Sequence, residues 1–384
     1  MIYLDNAATS FPKPDTVLEA MTRTMGKYGA NPGRSGHRLA LSAGRIVWQA
    51  RERLCELFNA QDPAAFVFTH NCTSALNLAI KGALHPGDHV VTTALEHNSV
   101  LRPLHTLEQE GRITLSVLSP LPDTFAVTAQ QVQAALRPDT RLVVMSHASN
   151  VTGAVQPVEN VARLCHAHNV LFLVDTAQTA GLHPIDLTAT LIDLMAFPGH
   201  KALYGPQGTG GLYVRPGLEA NILPLIEGGT GSDSHSVLQP ADMPDRYESG
   251  TLNTPGIAGL SAGIRFVRQN TDAIRQLEQE LTYALWYGLQ NLPGIALYGP
   301  PPDIHPRVDV ISFNLGSADS GLVADQLDQM QIAVRAGLHC APFMHRHLGS
   351  FTQGTVRMSV GFFNTKAAVR EALRAVETVA GMNM

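Results

Sequence analysis

The sequence predicts an α/β protein: a mainly parallel seven-stranded sheet in a large domain, followed by a smaller α+β domain. Three observations carry this expectation. Short apolar runs rich in β-branched residues recur at 65–69, 89–93, 113–118, 141–146, 171–175, 193–197 and 211–214. Most are separated by stretches of helical periodicity, such as 73–84, 128–136 and 158–168. The pattern changes beyond about residue 255.

Strands that alternate with helices imply crossover connections, and hence parallel strands buried on both faces. The seventh run is the exception. It follows Gly205-Pro206-Gln207-Gly208-Thr209-Gly210-Gly211, a turn-rich stretch too short for a helical crossover, so this strand is expected to be antiparallel. After the change of pattern come a long helical segment (257–292), a strand-like run (308–315), a helix-like run (321–330) and a final helix near 366–380. The expected division is a large domain over 10–256 and a small one over 257–384, with 1–9 packing beside the latter. A chain of 384 residues suits two domains with ample core.

Composition excludes several function classes. An apolar fraction of 45%, a charged fraction of 15% and a net charge of -5 describe an ordinary globular protein, with no basic run to suggest nucleic acid. No uninterrupted apolar stretch is long enough to span a bilayer, and Met1-Ile2-Tyr3-Leu4-Asp5 does not read as a secretory signal. Cys55, Cys72, Cys165 and Cys340 are scattered without metal-type pairing, which fits reduced thiols and a cytoplasmic location. No metal site is expected. His345 and His347 could pair as ligands, but an exposed polar loop explains them better.

In open parallel sheets ligands sit beyond the carboxyl ends of the strands, so those ends define the candidate site. The run 65–69 leads into Asn71-Cys72-Thr73-Ser74, a hydroxyl-rich helix start able to hold a phosphate, or a plain N-cap made by Thr73 or Ser74. After 89–93 comes His97, which could stack on a flat heterocycle or merely sit in a loop. After 141–146 comes Asn150, a candidate partner for a ring oxygen or a turn-former before Gly153. Asp175 closes a wholly apolar strand, where a carboxylate is costly unless paired; a protonated pyridine nitrogen would pair it. Its alternative is a helix N-cap. Ala196-Phe197-Pro198-Gly199-His200-Lys201 ends the sixth run with a lysine. Partly desolvated, such an amine is a nucleophile that makes Schiff bases with carbonyl cofactors, pyridoxal 5'-phosphate (PLP) being the commonest.

These residues, in this order, resemble the class V aminotransferase-fold PLP enzymes (PLP-transferase fold type I), and specifically the cysteine desulfurases and selenocysteine lyases. The resemblance runs from Tyr3-Leu4-Asp5-Asn6-Ala7-Ala8-Thr9 to Val356-Arg357-Met358-Ser359. It implies phosphate contacts from Thr73 and His200, with Cys72 beside them. It further implies ring stacking by His97, contacts of Asn150 and Gln178 to the ring-oxygen side, Asp175 on the pyridinium and the Schiff base on Lys201. It implies a homodimer in which the loop 248–254 reaches the neighbouring cofactor, so that Thr251 binds phosphate in trans.

Arg335-Ala336-Gly337-Leu338-His339-Cys340-Ala341-Pro342 is similar to the corresponding segment of the group II, SufS-like desulfurases. There the cysteine accepts sulfur, which makes Cys340 a catalytic candidate with Lys201 and His97. Arg335 and His339 are available to favour its thiolate. Arg357 suits a substrate carboxylate, with Asn150 nearby. The implied activity converts L-cysteine to L-alanine, leaving a persulfide on Cys340 for a thiol or sulfur-acceptor protein. L-Selenocysteine is the alternative substrate; another class V activity (aminotransferase, epimerase or β-lyase) or a non-catalytic PLP-binding or sulfur-carrier scaffold are the rival functions. Three positions depart from the family: Pro198 for a serine or threonine, Cys72 for threonine or alanine, and Leu338 for a histidine.

Overall fold

In a computed structural model, which describes residues 1–33, 36–233 and 235–383, the chain forms three sheets. A short strand β1 (Ile2–Tyr3) is followed by helices α1 (Asp15–Lys27) and α2 (Arg38–Phe58). The large sheet follows: β2 (Phe66–Thr69), α3 (Cys72–Ala83), β3 (Asp88–Thr93), α4 (Asn98–Gln109), β4 (Ile113–Leu118), α5 (Ala129–Ala135), β5 (Thr140–Ser146), α6 (Val158–Ala167), β6 (Leu171–Asp175), β7 (Leu194–Pro198) and β8 (Gly210–Val214). Its order is β2-β8-β7-β6-β5-β3-β4. The neighbours β7-β6-β5-β3-β4 pair in parallel, and β8 alone runs against β7 and β2, as its short connection requires. Because β2 opposes β8, which opposes β7, the carboxyl ends of β2, β3, β5, β6 and β7 lie along one edge.

Burial on both faces follows from the period of two. Along β6, Phe172 and Val174 pack with α2 and α6, whereas Leu171 and Leu173 pack with α3 and α4. α1 was not anticipated, whereas α2 is the helical stretch expected around Cys55. α2 has an apolar stripe (Val47, Ala50, Leu54, Phe58) that closes one face of the sheet, and Cys55 belongs to it. Cys165 on α6 joins the same core, so both thiols are packing residues, as expected of helical cysteines.

The remainder begins with α7 (Thr254–Gln290), 37 residues long and kinked at Asn270. Before the kink Ile257, Leu260 and Ile264 join the core of the large sheet; after it Leu281, Leu285 and Leu289 join a second core. The division expected after residue 256 stands as a proposal, and α7 spans it. The second core lies under a four-stranded antiparallel sheet ordered β12-β13-β10-β9, made of β9 (Ile295–Tyr298), β10 (Val310–Leu315), β12 (Arg335–Gly337) and β13 (Thr355–Ser359). Helices α8 (Ser320–Gln329) and α10 (Lys366–Asn383) cover it, and β11 (Ile332–Ala333) pairs in parallel with β1. A short helix α9 (Pro342–His347) carries His345 and His347. The exposed loop expected there is wrong for His345. It is fully buried, and its ring bonds the Ser350 hydroxyl at 2.9 Å, because the segment folds back as a helical turn. Among the described residues no group of three metal-ligating side chains occurs.

Candidate active site

The carboxyl edge of the large sheet and the edge of the small one enclose a cleft of about 210 Å³. Its lining includes Cys72, Thr73, His97, Asn150, Asp175, Gln178, His200, Lys201, Arg335 and Arg357. Of the residues singled out as catalytic, cofactor-binding or substrate-binding, Cys340 and Thr251 stand apart from it, as does His339. Cys340 lies just beyond its edge. Thr251 is exposed, accepts a hydrogen bond from Asn31 Nδ2 at 3.2 Å, and lines a neighbouring cleft whose wall also includes Thr73.

At the start of α3 neither Thr73 nor Ser74 is the cap. Asn71 is, accepting the Ser74 N–H at 2.9 Å. An amide cap one step upstream frees the Thr73 hydroxyl, which bonds the Ser99 hydroxyl at 2.7 Å, and leaves the N–H groups of Cys72 and Thr73 without a partner among the described residues. Two open N–H groups at a helix N-terminus make a ready anion site. Ser99 also bonds His97 Nδ1 at 2.9 Å, and His97 caps α4 by accepting the Ser99 N–H at 3.1 Å. That chain fixes the imidazole plane, and nothing in the local sequence marked Ser99. Burial, with the fields of Lys201 and Arg335, lowers the His97 pKa to about 4, so the ring is neutral.

Asp175 ends β6 almost fully buried. Oδ1 accepts the Ala177 N–H at 2.8 Å and the Cys72 thiol at 3.5 Å, while Oδ2 takes no hydrogen bond among the described residues. The Ala177 bond is a local turn and no helix begins there, so the alternative role of helix cap does not hold. Burial raises the Asp175 pKa, the mark of a carboxylate lacking its counter-charge. The side-chain amine of Lys201, next along the edge, makes no hydrogen bond or ion pair with a described residue, while its carbonyl accepts from the Ser10 hydroxyl and the Tyr204 N–H, each at 2.8 Å. Burial first, and then Arg357, lower its pKa to about 8. Beside it His200 is held neutral by burial, its pKa near 4, and its Nδ1 is buried without a partner. Gln178 reaches back to the Ala7 carbonyl at 3.3 Å.

The small sheet supplies the cationic wall. Arg335 on β12 and Arg357 on β13 stand directly opposite in register. Arg357 is fully buried: Nη2 donates to Asp5 Oδ1 at 2.8 Å, Nη1 to the Asn150 carbonyl at 3.2 Å, and Nε has no partner. One carboxylate between two guanidinium groups leaves room for a second, which is the electrostatic demand of a substrate acid. Asp5 was missed in the sequence because only the tertiary fold brings it to Arg357.

Cys340 follows two backbone positions of positive φ, Gly337 at 102° and His339 at 48°, and itself adopts 60°, strained for a side-chain-bearing residue. The loop is tied at successive carbonyls, His339 to Asn150 Nδ2 at 2.7 Å and Cys340 to the Asn98 N–H at 2.7 Å. Arg335 Nη2 lies 3.8 Å from Cys340 Sγ. His339 does not share that task. It is buried with its pKa lowered to about 2 and bonds Thr355 through Nε2, so it carries no charge toward the sulfur. Of the two, Arg335 alone lies beside the sulfur.

A hydrophobically sandwiched parallel sheet with an isolated buried lysine, an unpaired buried carboxylate and an open helix N-terminus along one edge defines an enzyme of the class-V aminotransferase type, and the model of that family matches residues 2–371. A probable cysteine desulfurase of Methanothermobacter thermautotrophicus is 36% identical, covering 99% of this chain and 95% of its own length. The cysteine desulfurase IscS of Edwardsiella ictaluri is 32% identical, covering 99% and 93%. Among solved structures, the apo cysteine desulfurase of Thermococcus onnurineus NA1 superposes with a TM-score of 0.91 at 33% identity, over 99% of this chain and 95% of that one. The cysteine desulfurase CsdA of Escherichia coli gives 0.89 at 27%, with the same coverage. The chain belongs to the class-V aminotransferase family, in its cysteine desulfurase branch.

Proposed function

We propose that the protein is a PLP-dependent cysteine desulfurase that moves sulfur from L-cysteine to Cys340 and releases L-alanine. One observation carries the reading: an unpaired, desolvated Lys201 shares a cleft with an unpaired buried Asp175, and the cleft is walled by Arg357 and by Arg335, whose guanidinium lies beside Cys340. The residues fit the cofactor. His200 Nδ1 and the Cys72 and Thr73 amides would offer donors for phosphate, joined by the Thr73 hydroxyl if it turned from Ser99; Asp175 Oδ2 lacks a cation, which a pyridinium would supply; Asn150 and Gln178 would face the ring-oxygen side and His97 the ring. Pro198 contributes no hydroxyl, a loss the open Cys72 and Thr73 amides would offset.

PLP, when bound, supplies an electron sink for the Cα of the amino acid. The chain does the rest. Arg357 holds the substrate carboxylate, opposed by Arg335. Lys201, with an amine pKa near 8, is free base often enough near neutrality to take a proton at Cα and return it. The Cys340 thiolate bonds to the substrate sulfur as the Cβ–S bond breaks. That electron pair stays with the carbon skeleton, which takes up protons and leaves as L-alanine. Sulfur has moved from one thiol to another, so no external oxidant is needed, and a thiol or sulfur-acceptor protein collects it.

The short loop tied to Asn98 and Asn150 supports the group II, SufS-like reading over one with a long mobile cysteine loop. We further place Thr251 in the partner's site of a homodimer, since within one chain it lies outside the cleft. The cytoplasm is the proposed location, supported by four free cysteines; no described helix is long and apolar enough to cross a membrane. Neither nucleic acid nor membrane is a proposed partner.

The test is alanine release from L-cysteine together with the mass of the Cys340 peptide. The parent adds one sulfur to that peptide. Cys340→Ala keeps its bound cofactor but makes only a trace of alanine; alanine at the parental rate would refute the persulfide step. Turnover of L-selenocysteine by the same variant identifies the alternative substrate, because selenium leaves without capture.

A further inference from the structure

The mechanism leaves unused a pair of acids deep in the fold. Glu278 on α7 is buried, and Asp309 just before β10 is half-buried. Neither has an ion-pair partner among the described residues. Glu278 Oε1 accepts from the Tyr204 hydroxyl at 3.3 Å and Asp309 Oδ1 from Thr282 Oγ1 at 3.4 Å. Glu278 Oε2 is buried with no donor to meet it. Arg307, whose charge acts on Asp309, spends its guanidinium on the Pro300 and Val310 carbonyls and on the Trp286 ring, 4.4 Å from its centroid. Burial pushes both acids upward, and the Asp309 charge pushes Glu278 further while a hydrogen bond from Glu278 holds Asp309 back, so the shared proton sits on Glu278.

The cavities around the pair give it a direction. An inner cavity of about 30 Å³ is bordered by Glu278, Asp309, Tyr204, Gln178 and Lys201. At roughly 10–15 Å³ per water it has room for about two or three, with polar groups enough to bond them. Lys201 and Gln178 also border the active-site cleft. Glu278 and Asp309 also border a larger, outer cleft of about 320 Å³, flanked by Arg275 and Gln279. Lys201 therefore borders both the active-site cleft and the inner cavity, and the acids border both the inner cavity and the outer cleft.

We propose that Glu278 and Asp309 form a proton relay that joins the outer cleft, through water in the inner cavity, to Lys201, separate from the substrate entrance. A proton arriving from the outer cleft lets the pair give one to the inner water, and that water gives one to neutral Lys201; the reverse sequence drains Lys201. Each passage leaves the pair sharing one proton again, and no electrons change hands. Such a route lets Lys201 trade protons with bulk water while substrate plugs its own entrance. The proposal rests on the reading of Lys201 as the base at Cα.

The test follows exchange of the Cα hydrogen of L-alanine with deuterium oxide by NMR, in the cofactor-loaded protein, a reaction that needs Lys201 but not Cys340. Glu278→Gln and Asp309→Asn should each slow exchange by about tenfold or more, with L-alanine affinity within about twofold of the parent. Formate should restore part of the loss in Glu278→Ala, entering by the outer cleft, and do nothing to the parent. A crystal structure of the unloaded protein should show ordered water bridging Glu278 and the Lys201 side of the inner cavity. Parental exchange rates in both conservative variants, or a dry inner cavity, overturn the relay alone. Absence of exchange in the parent overturns the base assignment of Lys201, and the relay with it. A lowered melting temperature with unchanged exchange marks the pair as merely structural and also overturns it.

Discussion

Replacing Arg357 by alanine tests the cationic wall directly. The side chain is fully buried, donates to Asp5 and to the Asn150 carbonyl, and keeps Nε free for a ligand. A charge-assisted hydrogen bond contributes about 1.5–3 kcal/mol, and the carboxylate of L-cysteine stands to lose a bidentate contact of that kind. Arg335 remains opposite and compensates in part, so the net loss is about 2–4 kcal/mol of substrate affinity, or roughly thirtyfold to a thousandfold. The fold should survive. Asp5, which loses its ion pair, retains some exposure and can be solvated by water entering the vacated space. Cofactor affinity should stay within about threefold, because the residues proposed to hold the cofactor lie on the large sheet. Arg357→Lys keeps the charge but not the planar fork, and should recover only part of the loss. The assay is spectroscopic titration of the loaded protein with L-cysteine beside a titration of the unloaded protein with PLP. A dissociation constant for L-cysteine equal to the parent's would refute the assignment; equal losses for substrate and cofactor would mean that the site had collapsed.

Other expectations follow from the same geometry. Lys201→Ala should lose both the borohydride-reducible bond to the cofactor and all turnover, and a reducible bond surviving in the variant would place the amine elsewhere. In the parent, formation of that bond from unloaded protein and PLP should rise with pH through a midpoint near 8 rather than near the ordinary lysine value, measured by stopped-flow absorbance. His97, His147, His200 and His339 have folded pKa values lowered to about 4, 3, 4 and 2 by burial. The unfolded chain therefore binds more protons as pH falls below about 6.5, and stability should drop between pH 6.5 and 4. Urea midpoints that stay flat over that window would contradict the burial of these rings. Asn71→Ala removes the cap of α3 and should cost about 1 kcal/mol in urea unfolding, with weaker cofactor retention because the same turn is proposed to bind phosphate.

What the sequence determined by itself was the part carried by local periodicity and local chemistry. Seven apolar runs of strand length, separated by helical spacing, were enough for the number and sense of the strands of the large sheet, including the reversed β8, since a glycine-rich turn cannot carry a crossover; their order in the sheet was not legible. The rule that ligands gather at carboxyl strand ends then turned Thr73, His97, Asn150, Asp175 and Lys201 into one site, because those positions are defined by the strands before them. The terminal body was less legible. Its β12 and β13 are short, and their pairing depends on partners far along the chain, so the meeting of Arg335 with Arg357, and of Arg357 with Asp5, belongs to the tertiary structure. So does the state of each ionisable group. His339 sits beside Cys340 in sequence and looked fit to support its thiolate, yet burial leaves it neutral and turned toward Thr355. Arg335, five residues away, reaches the sulfur instead. Glu278 and Asp309 lie in unrelated segments, and nothing near either predicts the other. Charge and protonation depend on what surrounds a group in three dimensions, and that environment is assembled by packing that no window of sequence contains.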